Sequence, residues 1–409
     1  MMLTNYIIVK QADQYAVYNA IPQQLLFTSN TAQETFAFAV SRVGNAGGQI
    51  GVGPGEFILD SPITLANNIS LRGSGRGTRL LVSSINQAGV GILCENLVGV
   101  EIGNLTISGK NNPHAVAGLV LDGCGDCTVH DVFCVRFAQY GMWIRNETIL
   151  SEIRGCSLAG NGQANIFFDK HRRGQYGDFI PNLLSNCKIY GGGKGIDCLE
   201  TTVLNINACL IYQTRDIAIH IRDVSYSVLV TGCRTFQIGS DAVVVENTGE
   251  FNLSSNILCW HTGHGVIIRN CGWGTIAANE IIDSGSYNAG VKDFTSRISD
   301  VPPYIPLYNG ISLVNARGFN VTGNTIFNWP QARKLKNGIF EDSQCRKNSF
   351  VANNINYYGN AGIDTSGTDT HISANVLDPD RPHDGNPQEK YHQSFMTQLT
   401  DAFIDDAML

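Results

Sequence analysis

Residues 216–270 read DIAIHIRDVSYSVLVTGCRTFQIGSDAVVVENTGEFNLSSNILCWHTGHGVIIRN, and this stretch decides the fold. The apolar segments AIHIR (218–222), AVVVE (242–246) and GVIIR (265–269) recur in it, and a second short apolar run separates each from the next. The units contain strands and turns and show no helical period. A unit this small cannot bury its own apolar face, so successive units must stack.

The same pattern extends from GLVLD (118–122) to GIDTS (362–366), with most steps between 23 and 30 residues. A long insertion interrupts it between 265 and 310. Stacked coils with parallel strands form an all-β, single-stranded parallel β-helix, here of about 11–12 coils.

The second run of each unit begins at a position that we predict to form one column. Its members are Asn104, Asp131, Cys156, Cys187, Cys209, Cys233, Asn256, Asn279, Asn324, Asn354 and Asn375. Asn tolerates a left-handed turn, and stacked amides can hydrogen-bond along the column. Coils about 4.8 Å apart would allow disulfides between Cys187, Cys209 and Cys233. Free thiols packed as small buried side chains are the favoured alternative.

An open β-helix exposes strand edges, so its two ends need caps. Residues 1–45 are predicted to form the N-terminal cap, with a hairpin in YIIVKQADQYAVYN (6–19) and a helix in TAQETFAFAVSRVG (31–44). Residues 46–378 form the β-helix. A linker and an amphipathic helix follow in 379–409, where Phe395, Leu399 and Phe403 recur at helical spacing.

Composition excludes several classes of protein. The 409 residues carry a net charge of −7 and no basic run, which argues against nucleic acid as a partner. No apolar stretch approaches the roughly 18 residues of a membrane helix. The N-terminus lacks the pattern of an export signal, so we expect the protein in the cytoplasm or in a phage particle. One CxxC, Cys124 with Cys127, is weak evidence for a zinc or redox site.

The stretch GNAGGQIGVGPGEFILDSPITLANNISLRGSGRGTRLL (44–81) resembles the opening of the pectate-lyase-like superfamily, with its GG, strand, PG-x-(Y/F) and G-x-G-x-G-T turn. With the repeats, the resemblance covers about residues 31–378. It implies a right-handed parallel β-helix. The superfamily includes polygalacturonases, lyases, epimerases, fructotransferases and phage tailspikes, so the fold leaves the function open.

A second resemblance is to polygalacturonase-type glycoside hydrolases. QTRDIA (213–218), GSDAVVV (239–245), TGHGVII (262–268) and AGVKDF (289–294) are similar in order to that family's Asn-Thr-Asp, Asp-Asp, Gly-His-Gly and Arg-Ile-Lys motifs. Asp241 and His264 match in column, and Asp216 and Lys292 match loosely. The chain departs from the pattern at Ser240, which replaces the paired Asp, in the missing Asn of the first motif, and in Val-Lys for Arg-Ile-Lys.

Strand alternation predicts which side chains face outward. In each five-residue segment the apolar second and fourth positions should face the core, and the third and fifth should face solvent. Aromatic, acidic and basic side chains gather on this outer face over about six coils, which suits a sugar-binding groove. The substrate-binding candidates are Trp143, Arg145, Phe167, Asp169, Asp197, Arg222, Arg269 and Lys292. The alternative is a solvated face with ladder salt bridges, such as Arg145 with Asp169, that contribute about 0–1 kcal/mol each.

The catalytic candidates are Asp241, His264, Asp216, Glu246 and His220. Groups on adjacent coils lie about 5 Å apart and two coils apart about 10 Å, which brackets the carboxylate separations of retaining and inverting glycosidases. Two of Asp216, Asp241 and Glu246 would supply an acid/base pair, and His220 or His264 would orient a carboxylate or shuttle protons. A lyase would instead need a base such as Arg222 or Lys292, and often Ca²⁺.

Two insertions, 170–182 and 285–309, break the period and are predicted to wall the groove. Their candidate substrate contacts are Arg172, Arg173, Tyr176, Lys292 and Arg297. Packing against a neighbouring subunit is the alternative.

These features predict a carbohydrate-active enzyme that cleaves or rearranges glycosidic bonds by carboxylate acid/base catalysis. The alternatives are a non-catalytic glycan-binding or tailspike-like β-helix, and a lyase, epimerase or fructotransferase. We expect no cofactor, except Ca²⁺ in a lyase. The expected partner is an oligo- or polysaccharide, with no nucleic acid or membrane, and a homotrimer is possible.

Overall fold

The computed structural model describes residues 4–110, 112–170, 181–223, 226–285, 307–328 and 335–380. They form a parallel β-helix whose strands lie on three faces. Face I is a 12-stranded parallel sheet. Its strands are Ile63–Thr64, Val90–Glu95, Ala117–Asp122, Tyr140–Arg145, Ala164–Asp169, Lys194–Leu199, Ile219–Arg222, Val243–Glu246, Val266–Arg269, Ile311–Val314, Leu335–Glu341 and Tyr358–Thr365.

Faces II and III belong to one continuous 27-stranded sheet. Face II contains Gly48–Val52, Ile69–Arg72, Glu101–Ser108, Thr128–Val135, Glu152–Arg154, Asn182–Ser185, Leu204–Asn207, Val228–Thr231, Gly249–Ser254, Gly272–Ala277, Arg317–Thr322, Ser349–Val351 and His371–Ser373. Glu101–Ser108 and Thr128–Val135 continue onto face III. The other strands of face III are Gly55–Leu59, Thr78–Val82, Ser157–Ala159, Lys188–Tyr190, Leu210–Tyr212, Arg234–Ile238, Ile257–His261, Glu280–Ser284, Thr325–Phe327, Asn354–Asn356 and Val376–Asp378.

Each coil runs from face II through face III to face I, and equivalent residues of neighbouring coils stand side by side. On face I, for example, Asp197 pairs with His220 and His220 with Val244. The parallel β-helix of about 12 coils that the repeats predict is therefore confirmed. This register makes columns of side chains along the helix axis, and the columns position the site.

The predicted alternation on face I is confirmed for the core. Met142 and Ile144 point inward and are fully buried, whereas Trp143 and Arg145 lie outside the central core. Two positions break the apolar rule: Thr365 is exposed, and the inward Glu341 is 0% exposed. Hydrogen bonds from Asn348 and Thr370 to its carboxylate compensate for that burial.

The prediction that the outward third column faces solvent is wrong for most of its members. Seven of them are each 7% exposed or less: Val120, Phe167, Asp197, His220, Val244, Ile267 and Ser312. Ladder neighbours about 4.8 Å above and below cover much of each side chain. The outer face therefore contains buried polar groups such as Asp197 and His220, which must find partners within the protein.

The predicted Asn/Cys column is wrong by one residue at Asn104, Asp131 and Asn354. Asn104 and Asp131 have φ 56° and 53° and stand one residue before the position that Cys156 occupies. The amide ladder consists of Asn256, Asn279, Asn324, Asn353 and Asn375, so Asn353 takes the place assigned to Asn354. Each side-chain oxygen accepts the backbone N–H of the coil below, as Asn279 does from Asn256 at 3.0 Å. The left-handed residue is the one before the ladder: Ser255 has φ 57° and Ala278 has φ 53°. The twelve cysteines are all free thiols, as the favoured alternative predicted.

The N-terminal segment covers the first coil. Strands Thr4–Gln11, Gln14–Asn19 and Leu25–Ser29 pair antiparallel, and the first of them also pairs with Gly48–Val52. Helix Ala32–Val43 follows, with Thr31 accepting the N–H of Glu34 as its N-cap. The hairpin and helix lie at the predicted positions, and the third strand was not predicted. The predicted C-terminal helix, like everything after Asp380, lies outside the described residues.

No helix in the described part of the chain is both long and apolar enough to cross a membrane.

Candidate functional site

A cleft of about 540 Å³ opens on the outer side of face I and on the turn that leads into it. Its lining comes from four successive coils and consists of Tyr140, Gly162, Gln163, Gly193, Lys194, Asp197, Arg215, Asp216 and Arg222. Asp197, Asp216 and Arg222 were predicted as site residues. Tyr140, Gln163, Lys194 and Arg215 were missed, because they lie at strand entries, where only Asp and His were considered. The cleft thus combines three cations with two carboxylates.

Asp197 is the centre of the ion pairs in this cleft. Its carboxylate accepts two hydrogen bonds from the guanidinium of Arg222, at 3.1 and 3.2 Å, and lies 3.3 Å from the ammonium of Lys194. Burial alone would raise the pKa of Asp197. Hydrogen bonds from Arg222, with the charges of Lys194 and Arg222, outweigh burial and hold this pKa well below its ordinary value. Asp197 therefore stays ionised and does not serve as a general acid.

His220 connects the cleft to the next coils. Its Nδ1 lies 2.8 Å from Nζ of Lys194, and its Nε2 lies 2.9 Å from Oε1 of Glu246. An ammonium has only protons to donate, so Nδ1 of His220 accepts, and Nε2 carries the ring proton that faces Glu246. Glu246 is also 3.6 Å from Arg269. The predicted catalytic residues His220 and Glu246 are thus both held in a network of ion pairs, and the carboxylate of Glu246 is shared between His220 and Arg269.

Asp241 and His264 lie together, as the shared column predicted. Oδ1 of Asp241 accepts the backbone N–H of His264 at 2.6 Å. Burial raises the pKa of Asp241, and the charge of Asp216 on the coil before raises it further, against the opposing effects of the His264 N–H and Arg269. Among the described residues, the carboxylate of Asp241 has no hydrogen-bond partner other than that backbone N–H.

The ring of His264 faces Asn309 and Tyr308 rather than Asp241. Its Nδ1 accepts the N–H of Asn309 at 3.0 Å, and Tyr308 packs edge-on at 5.3 Å. Burial, followed by the charges of Arg269 and Lys336, lowers the pKa of His264 to about 4. The side chain is therefore neutral near pH 7, which favours a structural or positioning role over that of a proton donor.

An aromatic group stands at one end of the cleft. The ring of Tyr140 stacks on Phe167 at 4.9 Å and lies 5.2 Å from Trp143. Burial, then the charges of Asp197 and Asp169, raise the pKa of Tyr140, so its phenol stays protonated and can donate a hydrogen bond. Of the three rings, only Tyr140 lines the cleft.

Arg145 and Asp169 do not form the predicted ladder pair. Arg145 instead pairs with Asp122 at 2.7 Å and covers the ring of Trp143 at 4.2 Å. Oδ1 of Asp169 and Nε1 of Trp143 are buried without hydrogen-bond partners. None of these four residues lines the cleft.

The remaining predicted contacts are Arg172, Arg173, Tyr176, Lys292 and Arg297, and all five lie outside the described residues. Within the described ranges, no three His, Cys, Asp or Glu side chains come together in a way that could hold a metal ion. The calcium site that lyase chemistry often uses is therefore not assigned to any of these residues.

Searches against family models and against curated proteins found no match. Solved structures do match. The A-module of mannuronan C-5 epimerase AlgE6 from Azotobacter vinelandii has a TM-score of 0.64 at 16% identity, over 86% of this chain and 95% of that one. The AlgE4 A-module of the same organism has a TM-score of 0.60 at 15% identity, over 84% and 92%.

The tailspike protein of Escherichia coli bacteriophage HK620, solved as a double mutant in complex with a pentasaccharide, has a TM-score of 0.52 at 12% identity. That likeness covers 85% of this chain and 63% of the tailspike. At these identities the likeness shows the fold alone, a right-handed parallel β-helix.

Proposed function

We propose that this protein is a carbohydrate-active enzyme that binds an oligo- or polysaccharide in the cleft and cleaves its glycosidic bonds by acid/base catalysis. The observation that carries the proposal is Asp241, whose pKa is raised by burial and which stands one coil from Asp216, a residue that lines the cleft. Glycosidases need two carboxyl groups of which one remains protonated.

The roles follow from the two environments. Asp241 would be the general acid, because burial, and to a smaller extent the charge of Asp216, raises its pKa and so favours the protonated form. Asp216 lines the cleft and would act as base or nucleophile. The two residues lie on adjacent coils, whose backbones are about 4.8 Å apart, with Asp216 level with Ser240 and Asp241 one residue further along. Retaining enzymes need roughly 5–5.5 Å between the two carboxyl groups.

The cleft would hold the sugar through its other groups. Tyr140 offers a ring edge and a phenol proton, and Arg215 is anchored by the carbonyl oxygens of Gly192 and Gly162 at 2.9 and 3.4 Å. Arg222 and Lys194 both pair with the one carboxylate of Asp197, so the three cations of the cleft exceed its two carboxylates by one. This excess of positive charge favours a glycan that contains uronate groups.

The cation excess also supports a second candidate, epimerase or lyase chemistry on a uronate. Removing the proton next to a carboxylate becomes easier when cations stabilise the charge that develops on that carboxylate. Lys194, Arg215 and Arg222 are placed for this role. The two epimerase modules with the same fold act on mannuronan, a uronate polymer.

One screen separates the candidates. Alginates, polygalacturonate and fructans are incubated with the protein, and the products are followed by reducing ends, by ultraviolet absorption of unsaturated sugars and by NMR of the residue composition. New reducing ends without unsaturation indicate hydrolysis. Unsaturated products indicate a lyase, and an altered composition without cleavage indicates an epimerase.

Asp241→Asn is the informative variant, because the amide oxygen can still accept the N–H of His264. Asp364→Asn is its control: Asp364 stands in the same outward column of face I as Asp197, near the C-terminal end of the β-helix. Full activity of Asp241→Asn, or no turnover of any glycan, contradicts the proposal. Binding without turnover would instead identify a non-catalytic glycan-binding protein.

A further inference from the structure

Two aromatic side chains stand apart from the cleft on the edge where face I ends and face II begins. They are Tyr226, which is 44% exposed, and Trp273, which is 59% exposed. Within the described ranges no other Phe, Tyr or Trp side chain is this open to solvent. Strand register places them two coils apart, or about 10 Å along the helix axis. We call this surface the aromatic edge.

Glycines form the floor of the aromatic edge. The ring of Tyr226 lies over Gly249, where an added Cβ would meet it at 3.1 Å. The ring of Trp273 lies over Gly318, where a Cβ would come within 2.7 Å. Gly272, between the two rings, has open space where its side chain would be. The glycines therefore let both rings approach the backbone of the next coil more closely than a residue with a side chain would allow.

Basic residues continue this surface toward the C-terminus. Arg317 lies over the ring of Trp273 at 5.4 Å, and Arg346 and Lys347 follow on the next coil, all three exposed. None of the three forms a salt bridge with another described residue. The acidic Glu250 beside them accepts a hydrogen bond from the hydroxyl of Ser227 at 2.6 Å and keeps its negative charge, which the three cations outnumber. A net positive surface thus adjoins the two rings.

We propose that the aromatic edge is a second glycan-binding surface, separate from the cleft, that takes an acidic polysaccharide chain lying along the helix axis. The C–H faces of two sugar rings would stack on Tyr226 and Trp273. Carboxylate groups further along the chain would pair with Arg317, Arg346 and Lys347. The choice of a glycan as ligand rests on the proposed function.

The chemistry of the surface favours a glycan over a protein partner. A protein interface has a contiguous apolar core, whereas glycine backbone and the carboxylate of Glu250 separate these two rings. A sugar chain alternates apolar C–H faces with polar edges, which matches isolated rings set in a polar surface. Since Tyr226 follows the cleft residue Arg222 by four positions, one long polymer could reach both surfaces.

Affinity electrophoresis tests the proposal with gels that contain alginate, polygalacturonate or uncharged glucomannan. We expect Tyr226→Ala/Trp273→Ala to weaken retardation by the acidic polymers at least tenfold, while Trp273→Phe retains most of it. The control is Leu150→Ala, because Leu150 stands in the same column of turn residues as Trp273, is 52% exposed, and lies several coils away. Circular dichroism melts establish that each variant is folded.

A second readout makes failure of this inference distinguishable from failure of the proposed function. Turnover of a short uronate oligosaccharide, which fills only the cleft, should be unchanged in Tyr226→Ala/Trp273→Ala. A folded double variant that binds acidic polymers as well as the wild type would overturn the inference, whether or not any glycan is turned over. If Tyr226→Ala/Trp273→Ala loses binding to glucomannan as much as to the acidic polymers, the proposal that this surface selects an acidic ligand is wrong.

Discussion

The ammonium of Lys194 donates to Nδ1 of His220 at 2.8 Å, although the carboxylate of Asp197 lies 3.3 Å from the same ring nitrogen. A cation and a carboxylate thus compete for one atom. While Lys194 is in place, Nδ1 must accept, and the ring proton faces Glu246. The lysine therefore sets the tautomer of the histidine that links the cleft to the next coil.

Lys194→Met should change that tautomer. Without the ammonium, Nδ1 is free to carry a proton and donate to Asp197. We expect ¹⁵N NMR of the imidazole to show an unprotonated Nδ1 and a protonated Nε2 in the wild type, and protonation at Nδ1 in the variant. Lys188→Met, on the outside of face III, is the control. An unchanged His220 signal in Lys194→Met would show that the lysine does not set the tautomer.

Asp241→Asn should reduce kcat by about 10²–10⁴-fold, the usual contribution of a general acid. A general acid works only while protonated, and the pKa of Asp241 is raised by burial and then by Asp216. Wild-type kcat/KM should therefore fall as pH rises through this pKa, at a pH above the ordinary Asp range. In Asp241→Asn the residual activity should no longer fall with rising pH in this range. If that fall persists in the variant, another group causes it.

The burial of His264 predicts how stability depends on pH. Its folded pKa is about 4, against 6.5 in the unfolded chain, so the unfolded state binds the proton first as pH falls. The stabilisation is present above pH 6.5 and is lost between 6.5 and about 4. Across that window His264 should account for about 3 kcal/mol of unfolding free energy.

Urea unfolding at several pH values measures this loss. His264→Asn, whose amide oxygen can accept the Asn309 N–H, should have a flatter profile than the wild type. His261, whose pKa burial lowers to about 3, would supply the slope that remains. His114→Asn, at an exposed position, should leave the profile unchanged. An unaltered slope in His264→Asn would mean that the ring is not buried in its neutral form.

Asn353 and Asn354 form a matched pair for the amide ladder. Asn353 is fully buried and bonded on both sides, to Asn324 and Asn375, whereas the next residue, Asn354, is exposed. Asn353→Ala leaves buried amide and carbonyl groups unpaired and should cost about 2–4 kcal/mol of unfolding free energy. Asn354→Ala should stay within about 0.5 kcal/mol. Equal losses in thermal or urea unfolding would contradict the ladder assignment.

Repetition made much of the fold predictable. Segments such as GVIIR (265–269) reveal the coil length, and their apolar second and fourth positions identify the inward side chains, because period-2 alternation is a local property of strands. The shared column of Asp241 and His264 follows from the same counting. Asn354 was misplaced by one residue because two adjacent Asn satisfy the pattern equally well, and only the backbone register distinguishes them.

The site was less predictable, because its members gain their roles from neighbours that are about 25 residues away in sequence. The sequence around Lys194 does not indicate that its ammonium contacts His220. The sequence around Arg145 does not indicate that this residue pairs with Asp122 instead of Asp169. Arg145 has an acidic residue on the coil before it, Asp122, and another on the coil after it, Asp169. Which pair forms depends on side-chain direction and on the other partners present.

By itself the sequence determined the stacked β-helix, the inward columns and the outer face that carries charged and aromatic groups, since these depend on the periods 2 and about 24. Only the tertiary structure decided that Asp197 and His220 are buried and paired with other side chains. It also decided that the pKa of Asp241 is raised. It placed Tyr226 and Trp273 on one edge, where each ring lies over a glycine. Burial and charge pairing depend on distances between coils, and those distances exist only after the chain has wound.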